Sequence, residues 1–323
     1  MILFASAGSW GEVQPLVALA KHFGGEMACD SKWREGSQQY GVITHRLCGP
    51  IEHDFTVPGF LGALDMREIF DSLYAASEGA EAIVSAFFLW PAKIVAELRG
   101  IPWIATTVSP IYWSEQGATT DEQMVVMKDW LNAIRKSVDL DEDEYALDTG
   151  PTMGLFPRFI GQATFDVVGY PRLPPLHALD ASKFTERPYC LISSGSINPH
   201  DWIDEVVSAC QRAGLYCVYL GSEFERDGAI GLPFEVGFDH KAALRDAYSA
   251  VIHAGLGTLC DAIECKTPMI VRPRAFDQFH NAKVLESMGV FRWPAFIPAM
   301  VDAEIEPVQH ILENAEKLIR GWL

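Results

Sequence analysis

Four short stretches of this chain carry residues whose types and spacing could do chemistry. In VIHAGLGTLCDAIE, His253, Gly255, Gly257 and Thr258 stand where an apolar run gives way to a helical pattern. Glycines let a backbone close on a ligand, and the unpaired amides of a first helical turn, together with the helix dipole, favour a phosphate. A neutral His253 would add a hydrogen bond through one ring nitrogen. An ordinary strand-to-helix turn with a packed histidine is the plainer reading. In CLISSGSIN, Ser194, Gly195 and Ser196 offer amides and hydroxyls at another strand end, although Ser/Gly turns are common. In PRAFDQFHNAKVLESMGV, Asp277 and Gln278 are adjacent at a helix start. A carboxylate beside a carboxamide suits paired vicinal hydroxyls; a helix cap at Asp277 is the alternative. Finally, Gly8 and Gly11 follow the opening MILFAS run, and Glu12 projects from the same loop, as a proton acceptor or as a solvated or capping carboxylate. The G-x-G-x-x-G of a dinucleotide fingerprint is missing, and Asp30 after EMAC is a weak candidate for a ribose-holding acid. An NAD-dependent oxidoreductase is therefore disfavoured.

The elements that must position these groups alternate. MILFAS, AIVSAFF and PWIATTV read as strands, each followed by a helical pattern, at 13–23, 90–99 and 121–136. The rhythm resumes with YCLISS, LYCVYL, AVIHAG and PMIVRP and helices near 200–213, 240–247, 257–265 and 276–288. Such βαβα order means α/β architecture, with parallel sheets covered by helices on both faces. Between the two runs, four prolines fall from Tyr170 to Tyr189, as expected of an interdomain connector. The boundary read from them divides the chain into 1–175 and 176–323. In such sheets ligands sit at the carboxyl ends of strands, and all four stretches fall there.

At 323 residues, 49% apolar and 21% charged, the chain has enough material for two domains with real cores. Its net charge of −18 opposes nucleic acid or an anionic membrane as a partner, since both need a basic footprint. No apolar stretch is long enough to span a bilayer, and the opening residues do not read as a signal peptide. The seven cysteines lack metal or redox spacing, which predicts reduced thiols in a cytoplasmic protein. The acidic run DLDEDEYALD, 139–148, reads as a solvated loop rather than a metal site.

Taken together, these stretches resemble the GT-B glycosyltransferases of family 1, the group of the bacterial macrolide, glycopeptide and sterol glycosyltransferases and the UDP-glycosyltransferases. The family pattern G-S/T-R-G-D-V-x-P is matched by Gly8-Ser9-Trp10-Gly11-Glu12-Val13-Gln14-Pro15. Its H-x-G-x-G-T is matched by His253 to Thr258, and its D-Q-F-x-N-A by Asp277 to Ala282. GFDHKAALRDAYSAVIH and IPWIATTVSP resemble further family stretches. The resemblance implies two Rossmann-like, doubly wound domains facing across a cleft, the first binding acceptor and the second the nucleotide-sugar donor. It implies an inverting, metal-independent transfer from a UDP- or dTDP-sugar to a hydroxyl of a small apolar acceptor, with the nucleotide sugar as co-substrate and no cofactor or metal. His253, Gly255, Gly257, Thr258, Ser194, Gly195 and Ser196 would then hold the diphosphate, and Asp277 and Gln278 the sugar. Glu12 falls at the position of the catalytic base, where relatives carry His or Asp.

This chain departs from the family in several places. Gly237 replaces a base-stacking tryptophan, leaving Phe238 beside it for that role. Ala86 stands where an Asp often orients a histidine base, which is consistent with a carboxylate base at Glu12. The chain is short for the family, its N-terminal half trimmed. Trp10, Phe87 and Trp90, with Phe55, Phe60, Phe88, Tyr112 and Trp113, are candidates for an apolar acceptor pocket or for core. Arg272 and Arg274 read as anion-facing groups or a surface ion pair. Two other functions fit the same cleft: glycosylation of a hydroxylated base in DNA, and a catalytically silent nucleotide-sugar-binding protein.

Overall fold

The computed structural model describes residues 1–51, 56–110, 121–178, 186–195, 203–233 and 235–323. The chain divides into two compact units: Met1–Leu173 together with Glu306–Leu323, and Pro174–Ile305. In the first unit the strands are β1 (Ile2–Ser6), β2 (Glu26–Asp30), β3 (Ile43–Cys48), β4 (Ala82–Ala86), β5 (Trp103–Thr107), β6 (Thr152–Gly154) and β7 (Asp166–Val167). They pair in the order β3-β2-β1-β4-β5-β6-β7, all parallel. The helices between them are α1 (Trp10–Phe23), α2 (Arg34–Gln38), α3 (Val57–Gly62), α4 (Met66–Ala76), α5 (Pro91–Arg99) and α6 (Asp121–Ser137). Every residue of β1, β4 and β5 is buried. That is why these strands read as unbroken apolar runs rather than alternating ones.

The second unit repeats the plan. Its strands are β8 (Tyr189–Ser193), β9 (Tyr216–Gly221), β10 (Phe224–Arg226), β11 (Ala229–Pro233), β12 (Ser249–Ile252), β13 (Met269–Val271) and β14 (Phe291–Arg292). Its helices are α7 (Ile203–Arg212), α8 (His240–Arg245), α9 (Leu256–Glu264) and α10 (Gln278–Ser287). The order is β10-β11-β9-β8-β12-β13-β14, parallel except for the β10–β11 hairpin. Counted within each unit and leaving β7 and β10 aside, both sheets follow the doubly wound order 3-2-1-4-5-6. Each therefore has a switch point where the winding reverses, between β1 and β4 in the first unit and between β8 and β12 in the second.

The first crossing between the two units falls between Leu173 and Pro174, within the proline-rich stretch. The sequence boundary assigns the last residues to the second half, but α11 (Val308–Trp322) returns to the first unit. Its buried stripe is Ile311, Ala315 and Ile319, and His22 Nε2 on α1 lies 2.9 Å from Glu316 Oε2. The acidic run is a loop tied to its neighbours: Lys93 pairs with Asp143 at 2.9 Å, and Arg135 Nε donates to the Asp141 carbonyl. All seven cysteines are free thiols. Among the described residues no helix is long and apolar enough to cross a membrane.

Candidate active site

The most completely built group of candidate residues stands at the switch point of the second unit. β12 ends at Ile252, and the chain then runs His253-Ala254-Gly255 into α9. Gly255 is the N-cap of α9 and makes no side-chain cap, so no cap side chain takes up the amides of Leu256, Gly257 and Thr258. Thr258 is buried in this first turn. The imidazole of His253 is buried, with Nδ1 3.1 Å from the Ser193 carbonyl at the end of β8. A carbonyl can only accept, so Nδ1 carries the ring hydrogen and Nε2 is the nitrogen left for a ligand. Burial pushes the ring's pKa down to about 4, against the pull of Ser193 and with help from the charge of His240. The ring is thus neutral near pH 7, and its single hydrogen is already engaged.

Two glycines make room for that ring. Gly195, at φ +75°, leads away from β8; a Cβ there would stand 2.5 Å from His253 Nε2. A Cβ on Gly255 would meet the same nitrogen even more closely. Both glycines are therefore required by the histidine, a stronger reason than loop flexibility. Ser194 behaves differently from the expectation that its hydroxyl faces a ligand. Its Oγ lies 3.0 Å from the buried Tyr219 hydroxyl on β9. Ser196 lies outside the described residues.

The loop after β13 brings in the third stretch. Asp277 makes no cap bond to α10, which removes the capping alternative; its Oδ2 instead accepts from Asn281 Nδ2 at 2.8 Å. Burial raises the Asp277 pKa to about 6, opposed by the bond from Asn281. Gln278 is buried, and its Oε1 accepts from the amides of Arg274 and Ala275 at 2.9 and 3.1 Å. Its oxygen is engaged, and Nε2 remains as donor. An acceptor at Asp277 thus sits beside a donor at Gln278. Arg272 forms an ion pair with Glu205, Nη1 to Oε2 at 3.3 Å, and the same carboxylate accepts from Trp293 Nε1. Phe238 is half-buried, its ring edge-on to His240 at 5.5 Å, and the adjacent Gly237 accepts from the amides of Leu176 and His177.

Glu12 belongs to the first unit, at that unit's switch point. It is the third residue of α1, half-buried, in a Ser9-x-x-Glu12 spacing typical of a capping box. Its carboxylate leans back over the loop: a Cβ on Gly8 would stand 2.9 Å from Oε2. Gly8 itself has φ +100°. The loop is held by its own side chains. Trp33 Nε1 donates to the Gly8 carbonyl at 2.6 Å, and buried Asp30 accepts from the Lys32 amide at 2.7 Å, with the Trp33 and Gly8 amides also favouring its charged form. Asp30 is thereby engaged by the backbone that follows β2. Burial raises its pKa to about 6.

Sequence reasoning missed two residues of these groups. Pro15 lies inside α1 and has no N–H, so the Gly11 carbonyl one turn earlier lacks its helical partner. The buried hydroxyl of Tyr170 fills the gap, donating to Gly11 O at 2.7 Å. The signal was the proline four residues after Gly11, which implies a substitute donor without naming it. The other is Asn281, visible in the motif but without an evident role. The aromatic candidates Trp10, Phe87 and Trp90 are all buried, Trp10 against Trp33 and Trp90 bonded through Nε1 to the Leu147 carbonyl. Phe60 and Phe88 are buried edge-to-face at 5.2 Å. Phe55, Tyr112 and Trp113 lie outside the described residues.

No protein-family model matches the chain. It is similar to the zeaxanthin glucosyltransferase of Pantoea ananas, 31% identical over 38% of this chain and 31% of that protein. It is also similar to the glycosyltransferase GtfC of Amycolatopsis orientalis, 27% identical over 90% of this chain and 84% of that one. In the first of these relatives the match spans less than a third of the protein's own length. Among solved structures, the glycosyltransferase of kitacinnamycin superposes with a TM-score of 0.68 at 18% identity, covering 99% of this chain and 94% of that one. The Streptomyces glycosyltransferase SsfS6, in complex with thymidine diphosphate, gives 0.67 at 15% identity, covering 98% and 90%.

Proposed function

We propose that this chain, which has the GT-B fold, is a glycosyltransferase that moves a sugar from a UDP- or dTDP-sugar to a hydroxyl of a small apolar acceptor, with inversion and without a metal. The observation that carries the reading is the head of α9. An uncapped helix start, two glycines and a buried histidine converge at a topological switch point, an arrangement suited to a diphosphate. Asp277 and Gln278, an acceptor beside a donor, suit two sugar hydroxyls. The crystallised complex of SsfS6 with thymidine diphosphate supports a nucleoside diphosphate as the common ligand.

In this mechanism the acceptor oxygen attacks the anomeric carbon from the face opposite the leaving group. Its proton passes to the Glu12 carboxylate as the new C–O bond forms. The old bond to the diphosphate breaks with its electron pair going to the phosphate oxygen. The α9 amides, and His253 once its Nε2 has taken up a proton on nucleotide binding, stabilise the charge that accumulates there, so the leaving group needs no metal ion. Phe238 offers a face to the nucleobase.

The deciding experiment screens a panel of UDP- and dTDP-sugars against mixed hydroxyl acceptors by mass shift, with donor hydrolysis followed in parallel. Transfer in the presence of EDTA is the expected outcome. Turnover abolished by EDTA and restored only by Mg²⁺ or Mn²⁺ would reject the metal-independent account. Tight nucleotide binding with neither transfer nor hydrolysis would assign the chain a silent binding role.

A further inference from the structure

The geometry points to Asn281 as a positioning residue that holds the Ala254–Gly255 peptide and the Asp277 carboxylate in one fixed arrangement, coupling the diphosphate loop to the sugar-facing acid. The assignment rests on the donor-binding reading above. Asn281 is fully buried on α10, one turn after Asp277 and far along the chain from Ala254. Its Nδ2 donates in two directions, to the Ala254 carbonyl at 3.0 Å and to Asp277 Oδ2 at 2.8 Å. Two acceptors on one nitrogen fix which way the carboxamide faces. Its Oδ1 is buried and meets no hydrogen-bond partner among the described residues. Burying an amide oxygen unpaired works against folding, so stability alone is a poor reason for an asparagine here.

Each bond has a consequence for a ligand. A trans peptide points its C=O and N–H in opposite directions. Pinning the Ala254 carbonyl on Asn281 therefore turns the Gly255 N–H away from Asn281 and fixes it at the head of α9. Ala254 is held at φ +64°, a left-handed conformation that alanine seldom adopts, and this bond helps keep it there. At the other end, the bond favours the ionised Asp277 carboxylate, the form that accepts from a sugar hydroxyl. Burial is the largest influence on the titration of Asp277, and the Asn281 bond opposes it.

The test follows the Asp277 carboxyl carbon by NMR across pH, assigned with Asp277→Asn, in the wild type and in Asn281→Ser. The serine variant keeps a smaller polar group in the same space. The titration midpoint should rise by about one pH unit when the bond is lost. Affinity for UDP or dTDP, whichever the wild type binds, should fall about five- to tenfold at pH 7.5. In the wild type itself, the Asn281 side-chain amide resonances should titrate with the Asp277 midpoint, a readout independent of whether the variant folds. An Asn281 amide indifferent to that titration, or an Asn281→Ser midpoint and nucleotide affinity both unchanged, would overturn the assignment. A wild type that binds neither nucleotide removes the donor reading, while the titrations still decide whether Asn281 holds Asp277.

Discussion

The two units share a strand order and a switch point, yet they furnish those switch points in different ways. In the second unit, the loops after β8 and β12 leave the first-turn amides of α9 without a cap side chain and give up side chains at Gly195 and Gly255 so that His253 can stand between them. In the first unit, the loop after β1 is tied down by Asp30, Trp33 and Tyr170, with Glu12 lying over Gly8. One switch point leaves helix-start amides without a cap side chain beside a buried imidazole; the other carries a carboxylate. The same backbone plan thus carries two chemistries, and the difference lies in which polar groups the protein satisfies by itself.

The largest expected effect bears on the first unit. Glu12→Gln keeps the shape and hydrogen bonding of the side chain but is not an effective base. Turnover should drop by roughly 10²–10⁴-fold while UDP or dTDP affinity stays near that of the wild type. Near-normal turnover would leave Glu12 as a helix cap and erase the contrast. Next comes the second unit: His253→Ala should weaken free nucleotide binding by about 10- to 100-fold, the value of a charge-assisted hydrogen bond. Asp277→Ala should spare the free nucleotide and weaken the nucleotide sugar by about 1–3 kcal/mol. Equal losses in both variants would dissolve the division between diphosphate and sugar groups.

A pH experiment sharpens the role of the histidine. The free ring is neutral at pH 7, because burial holds its pKa near 4, and its hydrogen serves Ser193. To donate from Nε2 to a diphosphate the ring must gain a proton as the nucleotide binds. Proton uptake on binding means that affinity falls as pH rises, by at most about tenfold per pH unit. Calorimetry in buffers of different ionisation enthalpy measures the uptake directly; binding without it would make Nε2 an acceptor. The smallest effect is expected for Tyr170→Phe, which strips the Gly11 carbonyl of its donor at a cost of about 1 kcal/mol in thermal or denaturant unfolding. A wild-type unfolding midpoint would mean that solvent replaces the hydroxyl.

What could be read from the chain beforehand followed a physical pattern. Fully buried parallel strands announce themselves as apolar runs, and the βα turns at His253 and Asp277 show as glycine and polar residues following such a run. Side-chain orientation was less legible. Ser194 turns to Tyr219, and Gln278 gives its oxygen to the Arg274 and Ala275 amides, because neighbours distant in sequence or backbone in the same loop offer better partners than solvent. The α4 cap was readable in principle: Asp65 accepts from the Arg67 and Glu68 amides. The destination of α11 was not, since its apolar stripe says that a face is covered but not by which unit.

That last helix also bears on how the molecule is made. The first unit is discontinuous in sequence, and the second lies wholly within it as an insertion from Pro174 to Ile305. On a ribosome, all residues of the inserted unit emerge before the first unit's final helix exists. The inserted unit can close its core from a continuous stretch, whereas the earlier one must keep the α11-facing side of α1 uncovered until α11 has been made. The first unit is thus begun before the second and closed only after it.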